Sequence, residues 1–531
     1  MQMNRRHFLL SGAAVTASVA VFNMAGLDEA IAQAVGDRLT VILNPEPPSL
    51  MLGLTQTTPT QIASGKIYQG LLTYDHQLNP QPGLAREWAV SEDGLTYTFK
   101  LFENVLWHDG KPFTAKDVLF STQVFLPEVH ARARSNFAAV ETATAIDDHT
   151  VEYKLSTPFA PFLQVFEVSS APIIPAHLYE GTDYKQNPAN DTPIGTGPFK
   201  FKEWRRGEYV HLVRNDEYYK EGLPLLKELY FQVIPDSSSR LVALQNGTVD
   251  IASFDNIDYV FISALQASGQ FEVTQKGYEF AGPLAAIEFN NRAGHLADKR
   301  FRKAILHAVD RDFVMQNIWF GQAGHATGPF NSATRYHKDT GPLYPFDTDK
   351  SVALLEEMGL KPDDKGVRAT VKLLGLPYGD SWTKLAEYVK QSLAKVGLEV
   401  IIENTDAGNW ASRYTNWDWE MTFGFWYQYG DPALGVSRLY LGSNIRQGVY
   451  GSNCSGYNNP EVDQLFADAV KEVDLAKRTE MYERVQEILI EDLPMGWLFE
   501  IKWATIMRNG VKDVVTSAVG VAESFETAKA G

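Results

Sequence analysis

The order of hydrophobic and polar positions predicts strands and helices that alternate along most of the chain. Residues 39–43 form a hydrophobic run interrupted only by Thr40, which is typical of a buried strand. Residues 97–101 and 151–155 alternate hydrophobic and polar side chains, as expected for strands with one solvated face. This alternation of elements favours an α/β protein.

The clearest unit spans residues 370–404. A strand at 370–374 precedes a helix for which Ser381 is the expected N-cap, and a second strand follows at 399–402. Gly397 is expected to stop the helix. One face of the helix carries Leu385, Val389, Leu393 and Val396. A strand–helix–strand unit of this length predicts a right-handed crossover between parallel strands.

Three further helices have recognisable ends. Asp298 is the expected cap of one, and another ends at Met358-Gly359. Asn459-Pro460 combines an N-cap with a proline in the first helical position, and the helical region that it opens stops before Pro494. Their hydrophobic faces are interpreted as core.

The first 34 residues have the features of an export signal. Arg5-Arg6 precedes a hydrophobic stretch of small residues, and Ala32-Gln33-Ala34 provides a cleavage site. The paired arginines resemble a twin-arginine signal. We therefore predict a signal peptide at residues 1–34, cleavage near Ala34 and a periplasmic protein.

Composition narrows the function. The chain has 531 residues with 48 Lys+Arg against 65 Asp+Glu, a net charge of −17 that disfavours nucleic acid as a partner. Its length predicts several domains. Cys454, the single cysteine, excludes an internal disulfide and is expected to be buried. The 29 Phe, 11 Trp and 23 Tyr either fill cores or line a ligand cleft.

Enzyme motifs are missing from the sequence. Neither G-x-S-x-G, H-E-x-x-H nor a glycine-rich nucleotide motif occurs. Ser381 and Lys384 fit S-x-x-K, but no K-T-G strand accompanies them, so a cap role for Ser381 is preferred. The 11 histidines are scattered, and neither a metal site nor a cofactor is predicted. A hydrolase with a carboxylate pair stays open as an alternative from another class.

Five ordered segments resemble the family 5 solute-binding proteins of ABC importers, which include dipeptide, oligopeptide and nickel-binding members. The segments are Tyr68–Asp75 with Pro82–Ala85, Trp88–Val118, Gly195–Phe199 with Arg214-Asn215, Ile234–Arg311 in several pieces, and Gly430–Pro432 with Tyr457–Asp463. They cover nearly all of the chain after residue 34.

The resemblance implies a two-lobed periplasmic binding protein fold with hinged lobes and an extra subdomain in lobe I. Lobe I is expected at 35–68, 193–285 and 498–531, and its extra subdomain at 69–192. Lobe II is expected at 286–497, between crossings near Phe289 and Trp497. A ligand that contacts both lobes would favour the closed form.

The resemblance also allows the ligand anchors to be checked. Dipeptide-binding members hold the ligand amine with an aspartate three residues before an Asp-Pro pair, where this chain has Gln428 before Asp431-Pro432. They hold the carboxylate with an arginine before a Pro-Tyr pair, where this chain has Leu376 before Pro377-Tyr378. Because both charges are missing, we do not expect a free dipeptide held in that way.

The predicted binding residues come from three segments. Aromatic residues are concentrated between 410 and 429, and those just before Asp431-Pro432 match the family's ligand contacts. Asp431 itself could take an amine or simply cap the turn. The predicted ligand-binding residues are Trp426, Tyr427, Gln428, Asp431, Tyr378, Asn44 and Glu46.

The resulting hypothesis is a periplasmic binding component of an ABC importer, specific for a peptide or peptide-like ligand. Its expected partners are that small molecule and the permease subunits in the membrane, and the protein is expected to be a monomer. An oligosaccharide or an opine-like conjugate is the alternative ligand, because rings and amides also suit sugars.

Overall fold

The computed structural model describes residues 36–531, so the predicted signal peptide at 1–34 lies outside the described residues. In this part of the chain the strands are β1 Arg38–Leu43, β2 Leu72–Tyr74, β3 Pro80–Pro82, β4 Ala85–Val90, β5 Thr96–Leu101, β6 Val140–Asp147, β7 Thr150–Leu155, β8 Phe199–Arg205, β9 Tyr209–Arg214, β10 Glu228–Val233, β11 Ile251–Ala252, β12 Phe271–Thr274, β13 Leu284–Phe289, β14 Ala323–His325, β15 Ala369–Leu374, β16 Leu398–Glu403, β17 Met421–Trp426, β18 Met495–Ile501 and β19 Thr505–Arg508.

Helices connect these strands. The α-helices between residues 36 and 531 are Thr58–Ser64, Ala115–Leu119, Leu126–Val129, Ala133–Asn136, Ala176–Tyr179, Ser237–Gln245, Tyr259–Ala267, Lys299–Ala308, Arg311–Asn317, Thr348–Glu357, Asp380–Ala394, Ala407–Thr415, Pro432–Gly435, Pro460–Ala469 and Leu475–Asp492. A π-helical turn lies at Phe120–Phe125. Short 3₁₀ turns occur at Phe162–Phe166, Pro188–Asn190, Gly294–Ala297, Ser437–Leu439, Gly442–Asn444 and Gly520–Ala522. Among the described residues, no helix combines the length and hydrophobicity needed to cross a membrane.

The first lobe is built on a seven-stranded sheet in the order β12-β19-β11-β1-β10-β9-β8. Strand β1 is at its centre and pairs parallel with β10, which places Val41 beside Phe231. All of β1 after Arg38 is buried, which confirms the buried strand predicted at 39–43. The sheet gathers strands from residues 38–43, 199–274 and 505–508.

The second lobe is built on a six-stranded sheet in the order β14-β18-β13-β17-β15-β16. Strands β15 and β16 pair parallel on either side of the helix Asp380–Ala394, which confirms the predicted strand–helix–strand unit. The cap prediction was wrong, because Gly379 is the N-cap and Ser381 lies within the first turn. Gly379 has φ of +98°, a conformation that favours glycine and turns the chain into the helix before Ser381 is reached.

A separate four-stranded antiparallel sheet, β4-β5-β7-β6, lies within residues 69–192, where the extra subdomain of the first lobe is expected. Strands β5 and β7 bury alternate side chains, as their sequence patterns predicted. Elsewhere the predicted helix starts are confirmed. Asp298 accepts a hydrogen bond from the backbone N–H of Arg300, and Asn459 accepts from Glu461.

The chain passes between the two larger sheets twice. Strand β13 begins at Leu284, shortly after β12 of the first sheet, and β18 ends at Ile501, shortly before β19. Both ends of the expected range 286–497 therefore fall inside strands of the second sheet. Phe289 and Trp497, the expected crossing points, lie within β13 and β18.

Candidate ligand-binding cleft

A cavity of about 670 Å³ lies between the two lobes. Asn44 directly follows β1 and lines it from the first lobe, together with the segments 237–240 and 255–260. The second lobe contributes the start of the helix Asp380–Ala394 and the end of β17. The lining residues are Asn44, Ser237, Arg240, Asp255, Ile257, Asp258, Tyr259, Val260, Trp319, Phe320, Tyr378, Gly379, Asp380, Ser381, Trp382, Lys384, Phe425, Ile501 and Trp503. Both lobes would touch a molecule that fills this space.

Four aromatic side chains form one continuous side of the cavity, which we call the aromatic wall: Trp319, Trp382, Phe425 and Trp503. The rings of Trp382 and Phe425 are stacked, with centroids 5.7 Å apart and planes at 17°. Trp319 meets Trp382 edge-on at 5.2 Å, and Phe425 meets Trp503 edge-on at 6.3 Å. Mutual packing fixes the orientation of these rings. Trp319, Trp382 and Trp503 are buried and Phe425 is partly exposed, so Phe425 provides most of the accessible ring surface.

The buried cation of the cleft, Arg240, is occupied by the backbone. Its guanidinium donates hydrogen bonds to the carbonyls of Ile234 and Pro235, at 3.1 and 2.6 Å, and to that of Asn256. Burial lowers the pKa of this guanidinium, while nearby carboxylates raise it. Arg240 therefore holds two loops of the first lobe together, and most of its donors are used for that purpose.

Carboxylates are the more available charged groups of the cleft. Asp255 and Asp258 come from the first lobe and Asp380 from the second, and all three are exposed to the cavity or its rim. Asp258 accepts a hydrogen bond from Ser237 Oγ at 2.8 Å. Lys384, also exposed, is the cation that the second lobe contributes.

Two of the predicted binding residues line this cavity. Asn44 reaches it from the end of β1, and Tyr378 reaches it from the loop that follows β15. Tyr378 remains 48% exposed, and its ring lies 6.2 Å from that of Phe425. These two residues therefore face each other across the two lobes.

The predicted residues near the end of β17 divide between two faces of the strand. Tyr427 is partly exposed and its ring lies 5.9 Å from that of Trp503, but it does not itself line the cavity. Trp426 and Gln428 alternate with it and are buried on the opposite face. Neither Trp426 nor Gln428 lines the cavity. Side chains two positions apart share a face of a strand, which explains this division.

Glu288 explains where the Trp426 side chain points. This fully buried carboxylate on β13 accepts hydrogen bonds from the indole N–H of Trp426 at 2.8 Å and from the hydroxyl of Tyr414 at 2.7 Å. Burial raises the pKa of Glu288 to about 7, although both donors lower it. The neighbouring strand leaves room for the carboxylate at Gly424, where a Cβ atom would lie 1.9 Å from Glu288 Oε1.

Asp431 has two structural partners. It caps the helix Pro432–Gly435 by accepting from the backbone N–H of Ala433 at 2.9 Å. It also forms an ion pair with Arg478 at 2.9 Å, and both side chains are almost completely buried. Burial lowers the pKa of Arg478, but Asp431 together with Tyr482 and Tyr336 more than offsets this effect, so the net shift is upward. These contacts match the alternative role predicted for Asp431, and the residue does not line the cavity.

Glu46 also lies outside the cavity lining. Its carboxylate accepts hydrogen bonds from the indole N–H of Trp204 and the backbone N–H of Gly207, both at 3.0 Å. These partners belong to β8 and the turn after it, so Glu46 ties the loop after β1 to the far edge of the first sheet.

Sequence reasoning missed Asp255, Trp319 and Trp503, which all line the cavity. They come from three separate regions of the chain, and none belongs to a motif. The available signal for Trp503 was its place just beyond an expected crossing between lobes. Among residues 36–531, no group of three or more His, Cys, Asp or Glu side chains is arranged to hold a metal ion. Cys454 is buried, as predicted.

Comparisons with known proteins agree with this architecture. A family model described as "Bacterial extracellular solute-binding proteins, family 5 Middle" matches residues 79–447. The chain is 28% identical over 452 residues to the oligopeptide-binding protein AppA of Bacillus subtilis, covering 82% of this chain and 80% of AppA. It is 27% identical over 527 residues to the glutathione-binding protein GsiB of Pectobacterium atrosepticum, covering 96% and 95%. The solved structure of AppA from Bacillus subtilis in complex with a nonapeptide superimposes with a TM-score of 0.77 at 24% identity, covering 92% of this chain and 98% of that one.

Proposed function

The chain belongs to family 5 of the bacterial extracellular solute-binding proteins, and from this premise we propose that it captures a peptide or peptide-like ligand between its two lobes and delivers it to an ABC importer. The permease subunits of that importer are the proposed membrane partner. The protein acts by binding and release, without chemical conversion of the ligand. It works as a monomer in the periplasm after removal of residues 1–34.

One observation carries this proposal: the cavity of about 670 Å³ is lined from both lobes. A ligand that contacts Asn44 on one side and Tyr378 on the other binds the closed form better than the open form. Ligand binding then shifts the population toward closure, which a membrane partner can recognise. A ligand with Kd of ~1 μM supplies about 8 kcal/mol, which is ample to offset an unfavourable closure of a few kcal/mol.

Peptide character is supported by the relatives and by the chemistry of the cleft. AppA is named for oligopeptides and GsiB for glutathione. The aromatic wall suits apolar side chains, and β17 runs on past its last pairing with β15 at Thr422, so the strand end at the half-buried Phe425 offers backbone groups to an extended chain. The missing charges at Gln428 and Leu376 argue for recognition that does not depend on clamping both ends of a short zwitterion.

A sugar or an opine-like conjugate is the second candidate. The observation that favours it is the stacked pair Trp382 and Phe425, because flat aromatic faces also bind the apolar faces of sugar rings. Both candidates use the same cavity, so one experiment separates them.

A thermal-unfolding screen of residues 35–531 tests the proposal. Peptides, glycosides and opines are each added in large excess, since a ligand at 100 times its Kd stabilises the folded state by about 2.7 kcal/mol. We expect Tm to rise with peptides. A rise in Tm with glycosides or opines and none with peptides would show that the ligand is a sugar or an opine-like conjugate rather than a peptide. Mass spectrometry of the recovered ligand checks that it is intact, and conversion to product would contradict a pure binding role.

A further inference from the structure

The second lobe does not present the charge that the family resemblance leads one to expect for a ligand amine. Gln428 stands at that position, is only 1% exposed, and lies on the face of its strand that points away from the cavity. Leu376, at the position expected for the carboxylate-binding arginine, is buried and apolar. A charged ligand group must therefore find its partner elsewhere in the cleft.

Asp255, on the first lobe, has the properties of such a partner. Its side chain is exposed to the cavity, and none of residues 36–531 other than its own backbone N–H donates a hydrogen bond to its carboxylate. The surrounding protein removes water from this group and raises its pKa, an effect that Arg240 only partly opposes. An accessible carboxylate without a side-chain donor can take a cationic ligand group as its hydrogen-bond partner.

The neighbours of Asp255 favour a cation as well. Tyr259 lines the same cavity as Asp255, and burial together with the negative charge of Asp255 raises the pKa of its hydroxyl. The aromatic wall borders the same cavity, and Phe425 is its most accessible ring. Aromatic faces next to a carboxylate are a recurrent setting for ammonium and guanidinium groups.

The cleft offers fewer favourable contacts to an anionic ligand group than to a cationic one. The guanidinium of Arg240 uses Nε and Nη1 on the backbone carbonyls of Asn256, Ile234 and Pro235, and the nearby carboxylates already offset its positive charge. Lys384 is exposed, and a solvated surface cation contributes little to a binding contact. The cleft therefore discriminates between ligands by the sign of their charge.

We propose that Asp255 is the anionic anchor of the cleft and that the ligand carries an amine or guanidinium cation held between Asp255 and the aromatic wall. This inference rests on the proposed function, because it assigns a ligand class to the same cleft. The carboxylate that holds the ligand cation then belongs to the first lobe, whereas the family resemblance places it in the second lobe.

Three sets of tetrapeptides test the charge requirement by equilibrium dialysis with residues 35–531. The cationic library contains tetrapeptides of Ala, Phe and Lys with free N-termini. The neutral library has the same sequences with acetylated N-termini, amidated C-termini and norleucine in place of Lys. A third set keeps the cations and amidates only the C-terminus. We expect retention of both cationic sets and at least about 30-fold weaker retention of the neutral library.

The substitution Asp255→Asn tests the residue, with Asp216→Asn as the matched control. Asp216 is on the same lobe, its side chain is 86% exposed, and the substitution removes the same charge. We expect Asp255→Asn to weaken the binding of cationic peptides by about 30-fold or more and to leave the Tm without ligand unchanged. The control variant Asp216→Asn should bind these peptides like the wild type.

The outcomes separate this inference from the proposed function. Equal retention of cationic and neutral libraries by the wild type, or full affinity of Asp255→Asn for cationic peptides, overturns the role of Asp255 and leaves peptide binding standing. Retention of no library by the wild type contradicts peptide binding itself, and the inference falls with it. The library comparison uses the unaltered protein, so it tests the need for a cationic ligand even if the Asp255→Asn variant folds poorly.

Discussion

The buried carboxylate of Glu288 predicts a pH-dependent loss of stability. In the folded protein its pKa is raised to about 7 from an ordinary value of 4.5. Between these two values the folded state keeps a proton that the unfolded state releases, so the free energy of unfolding falls as pH rises through this window. A difference of roughly 2.5 pKa units at about 1.4 kcal/mol each gives a loss of about 3 kcal/mol by neutral pH.

The substitution Glu288→Gln removes the titrating proton and keeps one acceptor for the indole of Trp426 or the hydroxyl of Tyr414. The amide also brings an N–H₂ group toward one of these donors, so a constant loss of stability is expected at every pH. The decisive quantity is the difference in unfolding free energy between wild type and variant as a function of pH. We expect this difference to shift by about 3 kcal/mol in favour of the variant between pH 4.5 and 8.

Urea denaturation at several pH values measures this quantity, with Glu92→Gln as the control. Glu92 is exposed, and its variant should follow the wild type at every pH. Parallel profiles for wild type and Glu288→Gln would refute the reasoning, since they would show that Glu288 carries the same charge in the folded and unfolded states. A shift of the opposite sign would show that its two hydrogen bonds outweigh burial.

Three further substitutions probe the cleft and its support. Asp431→Asn leaves Arg478 buried without its anionic partner, so we expect the free energy of unfolding measured in urea to fall by about 3–5 kcal/mol. Unchanged stability together with lost peptide binding would instead make Asp431 a ligand contact. Gly424→Ala places a methyl group against the fixed carboxylate of Glu288 and should cost about 1–3 kcal/mol, while an unchanged Tm would show that the carboxylate moves aside freely. Tyr378→Ala should weaken peptide binding with an unchanged Tm because the side chain is 48% exposed at the cleft, and unchanged affinity in calorimetry would remove it from the site.

Much of the fold could be predicted because local patterns carry it. The helix between β15 and β16 has a continuous hydrophobic face, and the parallel pairing of these strands follows from the helical crossover that connects them. The N-cap at Gly379 was not predictable from the preference of Ser381 for caps, since it depends on a turn with positive φ. The strand ends at Leu284 and Ile501 depend on pairing with distant strands, which the local sequence does not encode.

The cleft was less accessible to sequence reasoning. Tyr378 and Asn44 were found through motifs that border the cavity, and both line it. Trp426, Tyr427 and Gln428 were predicted together as ligand contacts, whereas successive side chains at the end of β17 point to opposite faces. Glu288, a residue far away in the sequence, holds Trp426 on the buried face. Asp255 belongs to no motif, and only the folded chain brings it to the cavity.

Hydrogen exchange measured by mass spectrometry, with and without a tetrapeptide retained from the cationic library, tests the central claim most directly. If the ligand bridges the two lobes, backbone amides should be protected together at residues 253–260 of the first lobe and at 376–384 and 423–427 of the second. Protection confined to one lobe, or located instead at the separate cavity bordered by residues 65–83 and 516–527, would contradict binding in the cleft between the lobes.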